Sequence, residues 1–289
     1  MLAYPVSDKP IDYTKPVFMQ PKLDGVRCLI QSENVEYHEP NTGRLIKAQA
    51  VKAYSRTGKE WKNIDHILFN LKPWFALNPD VILDGELYNH DFKDDFEQII
   101  SMVRKTKPTA EDKLKSADNV QFHCYDIIDE TKTFEQRINF IKQVVPHNHC
   151  VHHVHTMQIS SHDNALTFHE SYKAGGYEGS IVRTNDTYAC KRSHNLRKFK
   201  DFHDTEATII GYVDGKGKRE GTLGKFIMQD DNGVEFGCPP GKGYTYAQLK
   251  DILNNIGDYI GERATFTYFE RTKAGSYRHP LFKCIRNYE

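Results

Sequence analysis

The chain has 289 residues, 38% of them hydrophobic and 12% aromatic, which excludes wholesale disorder and suits two domains of unequal size. Its 39 basic and 39 acidic residues cancel, so a polyanionic partner must meet a local basic face, such as Lys216, Lys218 and Arg219. Six scattered cysteines with no CxxC pair read as reduced thiols, and no apolar run approaches membrane-spanning length, so a cytoplasmic protein with no membrane partner is expected.

In chain order, apolar runs of strand type fall at 17–21, 26–30, 81–87, 120–128 and 179–182. Between them, helical spacing aligns Ile64, Ile67, Leu68, Leu71 and Phe75 on one face. The same spacing aligns Phe96, Ile99, Ile100 and Val103, and later Phe134, Ile138, Ile141 and Val145. Segment 105–119, polar and charged with Pro108, reads as a mobile surface connection. Five histidines crowd 147–155, where Val151 and Val154 interrupt the alternation, and an incidental polar strand edge is expected there rather than a metal site. A further helix starts at the capping type Ser161 and stops at Gly175 and Gly176. Beyond residue 202, strand runs recur at 206–213, 225–229, 234–237, 263–269 and 281–285, with a helical piece at 246–256. Five strands and one helix predict a small Greek-key barrel of the oligonucleotide-binding type. The expected division is therefore 1–202 and 203–289.

The sharpest local signal is Lys22-Leu23-Asp24-Gly25-Val26-Arg27. Asp24 and Gly25 would turn the chain between two strands and bring Lys22 and Arg27 to one pocket, although an ordinary Asp-Gly hairpin with solvated charges fits the same residues. A lysine becomes a nucleophile when burial or neighbouring cations remove its proton. The company of the motif favours chemistry. Tyr54-Ser55-Arg56-Thr57-Gly58-Lys59 follows, then Leu83-Asp84-Gly85-Glu86-Leu87, then Phe122-His123-Cys124-Tyr125-Asp126. Glu178-Gly179-Ser180-Ile181-Val182-Arg183 supplies a second carboxylate, and Leu196-Arg197-Lys198-Phe199-Lys200 sets two lysines at a period of two, hence on one strand face. Each is weak alone; together they hold every part nucleotidyl transfer needs.

This ordered series resembles the covalent nucleotidyltransferase superfamily, and within it the minimal viral and phage type of ATP-dependent DNA ligase, over nearly the whole chain from about residue 17. The resemblance implies an α+β fold: an adenylation domain with antiparallel sheets and flanking helices, followed by an oligonucleotide-binding-fold barrel. It implies that Lys22 attacks the α-phosphate of ATP and carries AMP, that Arg27 and Glu86 hold the ribose, and that Tyr125 stacks on adenine beside Gln20. Glu178, with Glu86, would place Mg2+, for which Mn2+ can substitute; Arg183 would line the phosphate pocket. Lys198 and Lys200 would hold the α-phosphate and favour neutral Lys22. Ser55 and Arg56 resemble a DNA-phosphate contact, and Lys216, Lys218 and Arg219 in the short loop 214–224 would form a reduced, salt-sensitive clamp. The partner implied is nicked duplex DNA, sealed by a monomer.

Two departures stand out. Position 20 is Gln rather than the acid frequent in larger ligases, and the tail Arg278-His279-Pro280 lacks an Arg-x-Asp-Lys ending; Arg278 is the candidate to assist at the pyrophosphate. The alternatives are an mRNA capping guanylyltransferase, which shares the lysine motif, an RNA ligase, and a non-catalytic nucleic-acid-binding module, which leaves Lys22 and its companions unexplained.

Overall fold

The structure is a computed structural model and describes residues 1–93, 95–241, 243–272 and 274–286. The chain forms two compact units, Met1–Phe199 and Lys200–Glu289.

The first unit is built on two five-stranded sheets. One contains β1 (Leu2–Pro5), β2 (Val17–Lys22), β8 (Met157–Ile159), β9 (Gly179–Thr184) and β10 (Arg192–Phe199), in the order β1-β10-β9-β2-β8. The other contains β3 (Val26–His38), β4 (Leu45–Tyr54), β5 (Leu83–Tyr88), β6 (Gln121–Ile127) and β7 (Val151–His153), in the order β4-β3-β5-β6-β7. Pairing is antiparallel except for β1 with β10 and β6 with β7. Helices α1 (Asp65–Leu77), α2 (Phe96–Val103) and α4 (Phe134–Val144) bury the faces their spacing predicts: Ile67, Leu71 and Phe75, then Ile99 and Val103, then Phe134, Ile138 and Ile141. Helix α5 (His162–Ala174) starts where expected, with the Ser161 hydroxyl accepting from the Asn164 amide, and ends at Gly175.

The junction between β2 and β3 corrects one expectation. The two strands do not pair as a hairpin, because β2 belongs to one sheet and β3 to the other. Leu23, Asp24 and Gly25 carry the chain from sheet to sheet. Gly25 passes so close to β5 that a Cβ there would lie 2.4 Å from the Leu87 carbonyl oxygen and 2.7 Å from Glu86 Cγ. Only glycine fits, and the motif turns on a close approach rather than a tight turn.

A second correction concerns segment 105–119. Residues Ala110–Asn119 form α3, opened by a capping box in which the Thr109 hydroxyl and the Asp112 carboxylate each bond the other's amide. Lys113 pairs with Asp65 at 2.7 Å and Lys115 with Glu111 at 2.7 Å. The helix is held by its cap and by charges, so apolar periodicity does not reveal it. Strand β3 also runs on past residue 30 to His38, paired with β4 from Leu29 onward and losing its burial toward exposed Glu36, Tyr37 and His38.

The second unit is one antiparallel sheet. It comprises β11 (His203–Asp214), β12 (Leu223–Gln229), β13 (Glu235–Cys238), β14 (Arg263–Tyr268) and β15 (Leu281–Ile285), in the order β13-β12-β11-β14-β15, with α6 (Tyr246–Asn254) between β13 and β14. Phe226, Phe236, Phe266, Tyr277 and Phe282 fill its core. Among the described residues no ladder joins β13 to β15; a bridge from Pro240 to Phe282 is what links that end to β15, so the oligonucleotide-binding-like sheet curls without closing into the expected barrel. Among the described residues no helix is long and apolar enough to cross a membrane.

Candidate active site

The two sheets of the first unit meet across a cleft of about 690 Å³. Lys22, the last residue of β2, reaches it with its side chain about one-fifth exposed, and its ammonium donates to the buried Glu178 carboxylate in a short contact. The backbone sets this meeting: Lys22 pairs with Gly179 across β2 and β9, and the Glu178 amide donates to the Lys22 carbonyl at 3.2 Å. Gly179 has φ +148°, and a Cβ there would sit 2.4 Å from the Phe199 carbonyl oxygen. The glycine after Glu178 is therefore required by the packing of β9 against β10.

Arg27 enters from β3. Its Nε and Nη2 donate to the two oxygens of Asp84 at 2.9 and 3.0 Å, a fork-on-carboxylate pair. Nη1 donates to the Met1 carbonyl at 3.0 Å, and Nη2 also reaches the Tyr188 hydroxyl at 2.9 Å. That hydroxyl donates in turn to Asp84 at 2.7 Å, so Tyr188, buried and distant in sequence, completes the clasp. Glu86 lines the cleft beside the pair. Burial pushes its carboxyl up to about 8; Asp84 and Asp24 add to the rise, while Lys22 and Arg27 oppose it.

The floor is a buried charge network. Asp126 is fully buried and accepts from Arg137 Nε at 2.7 Å, Arg137 Nη2 at 3.3 Å and Arg183 Nη1 at 2.7 Å. Arg183 Nε donates to Gln20 Oε1 at 2.7 Å. Gln20 Nε2 donates to the Tyr125 carbonyl at 3.2 Å and to Thr156 Oγ1 at 2.9 Å, so the amide is engaged at both ends within the protein. The Arg183 guanidinium carbon lies 5.3 Å from the centre of the Tyr125 ring.

Of the residues singled out in the sequence, Gln20, Lys22, Arg27, Ser55, Arg56, Glu86, Tyr125 and Arg183 line this one cleft, and Glu178 joins through Lys22. Ser55 and Arg56 sit in the turn after β4, where the Gly58 amide donates to the Ser55 carbonyl at 2.9 Å. The other candidates are elsewhere. Lys198 lies in β10, but the strand ends at Phe199. Lys200 lies one residue beyond the strand, its ammonium 4.2 Å from the Phe269 ring centre in the second unit. The chain leaves the sheet one residue before the expected alternation completes. Arg278 pairs with Glu270 in the second unit. Lys216, Lys218 and Arg219 lie on the connection from β11 to β12, folded back by the Gly215 amide donating to the Thr222 carbonyl at 2.8 Å.

Several members were not singled out from the sequence. Asp84 and Asp126 stood inside the quoted motifs, one beside Glu86 and one beside Tyr125. Arg137 carried a usable sign, since a charge amid the apolar face of α4 marks a buried ion pair. Tyr188 carried none. The histidine crowd packs along β7, the His152 ring 4.9 Å from His123 and 5.2 Å from His147, and burial pushes His123 down to about 3.

The family model described as ATP dependent DNA ligase domain matches residues 1–200, and the model described as DNA ligase OB-like domain matches 214–286. DNA ligase of Enterobacteria phage T6 is 24% identical, over 75% of this chain and 51% of its own length, so the chain spans about half of that phage relative. DNA ligase of Haemophilus influenzae is 25% identical over 71% of each chain. Among solved structures, a Lig E DNA ligase has a TM-score of 0.75 at 23% identity, covering 99% of this chain and 98% of that one, a likeness of fold. With more than half its length under the first model, and that model covering the whole cleft, the chain belongs to the ATP-dependent DNA ligase family.

Proposed function

We propose that this protein seals nicks between a 3′-hydroxyl and a 5′-phosphate in duplex DNA, through a lysyl–AMP adduct on Lys22. The observation that supports this most is the pairing of Lys22 with Glu178 at the mouth of a cleft that also carries Arg27, Glu86, Tyr125 and Arg183. In the first step the Lys22 nitrogen, relieved of its proton, bonds the α-phosphorus of ATP while the bond to the β-phosphate oxygen breaks and pyrophosphate leaves. AMP then passes to the 5′-phosphate at the nick, and the 3′-hydroxyl displaces AMP to form the phosphodiester. We assign Arg27, held by Asp84, to the ribose, Tyr125 to the adenine ring and Arg183 to the phosphates. Lys198, Lys200 and Arg278 are assigned to the phosphates as well, with Lys216, Lys218 and Arg219 on the DNA backbone.

Glu178 and Glu86 are the carboxylates flanking Lys22, a hard oxygen pair suited to Mg2+, with Mn2+ able to substitute. The ion would offset phosphate repulsion; the protein's own part is to hold Lys22 and the ribose in place. We assign residues 1–202 to adenylation and 203–289 to an oligonucleotide-binding-fold domain, acting as a monomer in the cytoplasm. Intact mass after incubation with Mg2+ and ATP tests the reading. Mass gain equal to AMP, absent in Lys22→Ala and lost as nicked DNA is sealed, is expected. Gain from GTP instead, or an adduct on Lys22→Ala, would overturn it.

A further inference from the structure

We propose that His90 is a positioning residue, fastening the turn that carries Glu178 to the strand that carries Glu86 so that the Glu178 carboxylate meets Lys22; this rests on the nick-sealing reading above. Glu178 stands at the end of a turn, where Gly175, Gly176 and Tyr177 lead from α5 to β9. The amides of that turn are satisfied close by. Gly175 donates to the Ser171 carbonyl at 3.0 Å, Gly176 to Lys173 at 2.8 Å and Tyr177 to Tyr172 at 3.0 Å. The Gly175 carbonyl reaches further, to His90 Nε2 at 3.0 Å. His90 opens the short turn His90–Phe92 just after β5, on the other sheet. The residue does not line the cleft itself, so any effect on the reaction passes through what it holds.

Hydrogen-bond chemistry fixes the direction of this relay. A carbonyl only accepts, so Nε2 of His90 carries the proton, and in the neutral ring Nδ1 accepts from the Tyr88 hydroxyl at 2.7 Å. Tyr88 is 2% exposed and lies two residues beyond Glu86 in β5, hence on the same strand face. A Cβ at Gly25 would lie 2.7 Å from Glu86 Cγ and 3.2 Å from Tyr88 Cβ, so both side chains press on the crossing that follows Lys22. The relay from Tyr88 through His90 to Gly175 therefore joins the segments of Lys22, Glu86 and Glu178. Two contacts reinforce it. The His90 ring centre lies 4.6 Å from that of Tyr177, and the Lys93 side chain covers Gly176, where a Cβ would meet Lys93 Cδ at 2.7 Å. Beneath them Leu23 and Tyr177, the chain neighbours of Lys22 and Glu178, pack with Tyr88 and Val154. Apolar packing is non-directional and holds these segments together without setting their register; the directional hydrogen bonds of His90 set it.

The experiment compares the full chain with His90→Phe, which keeps a ring and loses the donor, and His90→Gln, which keeps an N–H donor near the place of Nε2. Adduct formation from Mg2+ and ATP is followed in a single turnover, and native-state amide exchange reports on residues 175–178. His90→Phe should slow adduct formation at saturating ATP by on the order of tenfold, with little change in KM for ATP, because Glu178 is displaced while the nucleotide pocket is kept. Exchange of the Glu178 amide should rise about fivefold, the loss of about one hydrogen bond. His90→Gln should restore most of both. A parental rate in His90→Phe overturns the proposal, whatever the melting temperature. So does His90→Gln being as slow as His90→Phe, which would leave the ring's packing, not its donor, as the tie. Where His90→Phe fails to fold, Tyr88→Phe, which removes the hydroxyl that orients the ring, should slow the step in its place, and a parental rate there overturns the proposal equally. Failure of the parent chain to form an adduct would count against the nick-sealing reading, while unchanged exchange in His90→Phe would still count against the tie.

Discussion

Replacing Asp126 by Asn should destabilise the first unit severely while keeping its side-chain shape. Asp126 is fully buried, and it accepts four hydrogen bonds: two from Arg137, one from Arg183 and one at 2.9 Å from the Ile127 amide. Arg137 and Arg183 are themselves 1% and 3% exposed. The carboxylate is their shared counter-charge, so its removal leaves two guanidinium ions, one in the core and one on the cleft floor, without it. Breaking a buried pair in this way costs about 3–5 kcal/mol, mostly from the charge left behind. With a urea slope of about 2 kcal/mol per M, the unfolding midpoint should fall by about 1.5–2.5 M. Both tryptophans of the chain, Trp61 and Trp74, lie in the first unit and are mostly buried, so their fluorescence reports this unit separately from the other. Adenylation should fall too, because Arg183 would no longer be held against Gln20. A midpoint within about 0.3 M of the parent would refute the claim that Asp126 is the network's counter-charge.

Gly25→Ala should lose adduct formation and about 1–3 kcal/mol of stability, because its Cβ would meet the Leu87 carbonyl at 2.4 Å; a thermally unchanged, active variant would contradict this. Tyr188→Phe removes the hydroxyl that joins Arg27 to Asp84 and should cost about 1–3 kcal/mol in thermal unfolding, with slower sealing; normal stability and rate would free Tyr188 of any part in the clasp. The Glu86 carboxyl is raised from 4.5 to about 8, so the folded chain holds a proton that the unfolded chain has lost across that window. Stability should therefore be greatest at the acid end and fall as pH rises toward 8, by at most about 1.4 kcal/mol per unit, and Glu86→Gln should flatten that dependence in melts at several pH values. Equal slopes in parent and variant would remove Glu86 as the source.

How much of this was legible in the sequence depends on the kind of interaction. Apolar periodicity located α1, α2, α4 and the strands of the second unit because burial repeats along the chain there. It missed α3, whose stability lies in the Thr109–Asp112 cap and surface ion pairs, and the outer half of β3, which buries no residue fully. Lys22, Glu86 and Glu178 were legible because each stands beside a glycine or on a strand end, while Gln20 and Tyr125 lie mid-strand. Their partners were not. Tyr188 meets Asp84 across 104 residues of chain, and no local pattern encodes such a pairing. The end of β10 at Phe199, one residue before Lys200, was not marked in the sequence, where the alternation of two lysines reads as continuous strand.

The same distinction explains how a chain with no net charge presents a cationic cleft. Lys22, Arg27 and Arg183 each have an internal carboxylate, so their charges are spent on holding the geometry of the cleft itself. Arg56, Lys59 and Arg104 line the same cleft with no such partner among the described residues. Elsewhere the carboxylates are used up on lysines such as Lys47, Lys52 and Lys113, which holds the bulk surface near neutral. Because screening limits each surface charge to about 10 Å at about 0.1 M salt, it is this local imbalance that a phosphate strand would feel, not the total. Counting unpaired cations around a cleft is therefore the more direct physical test for a polyanion site than the composition of the chain.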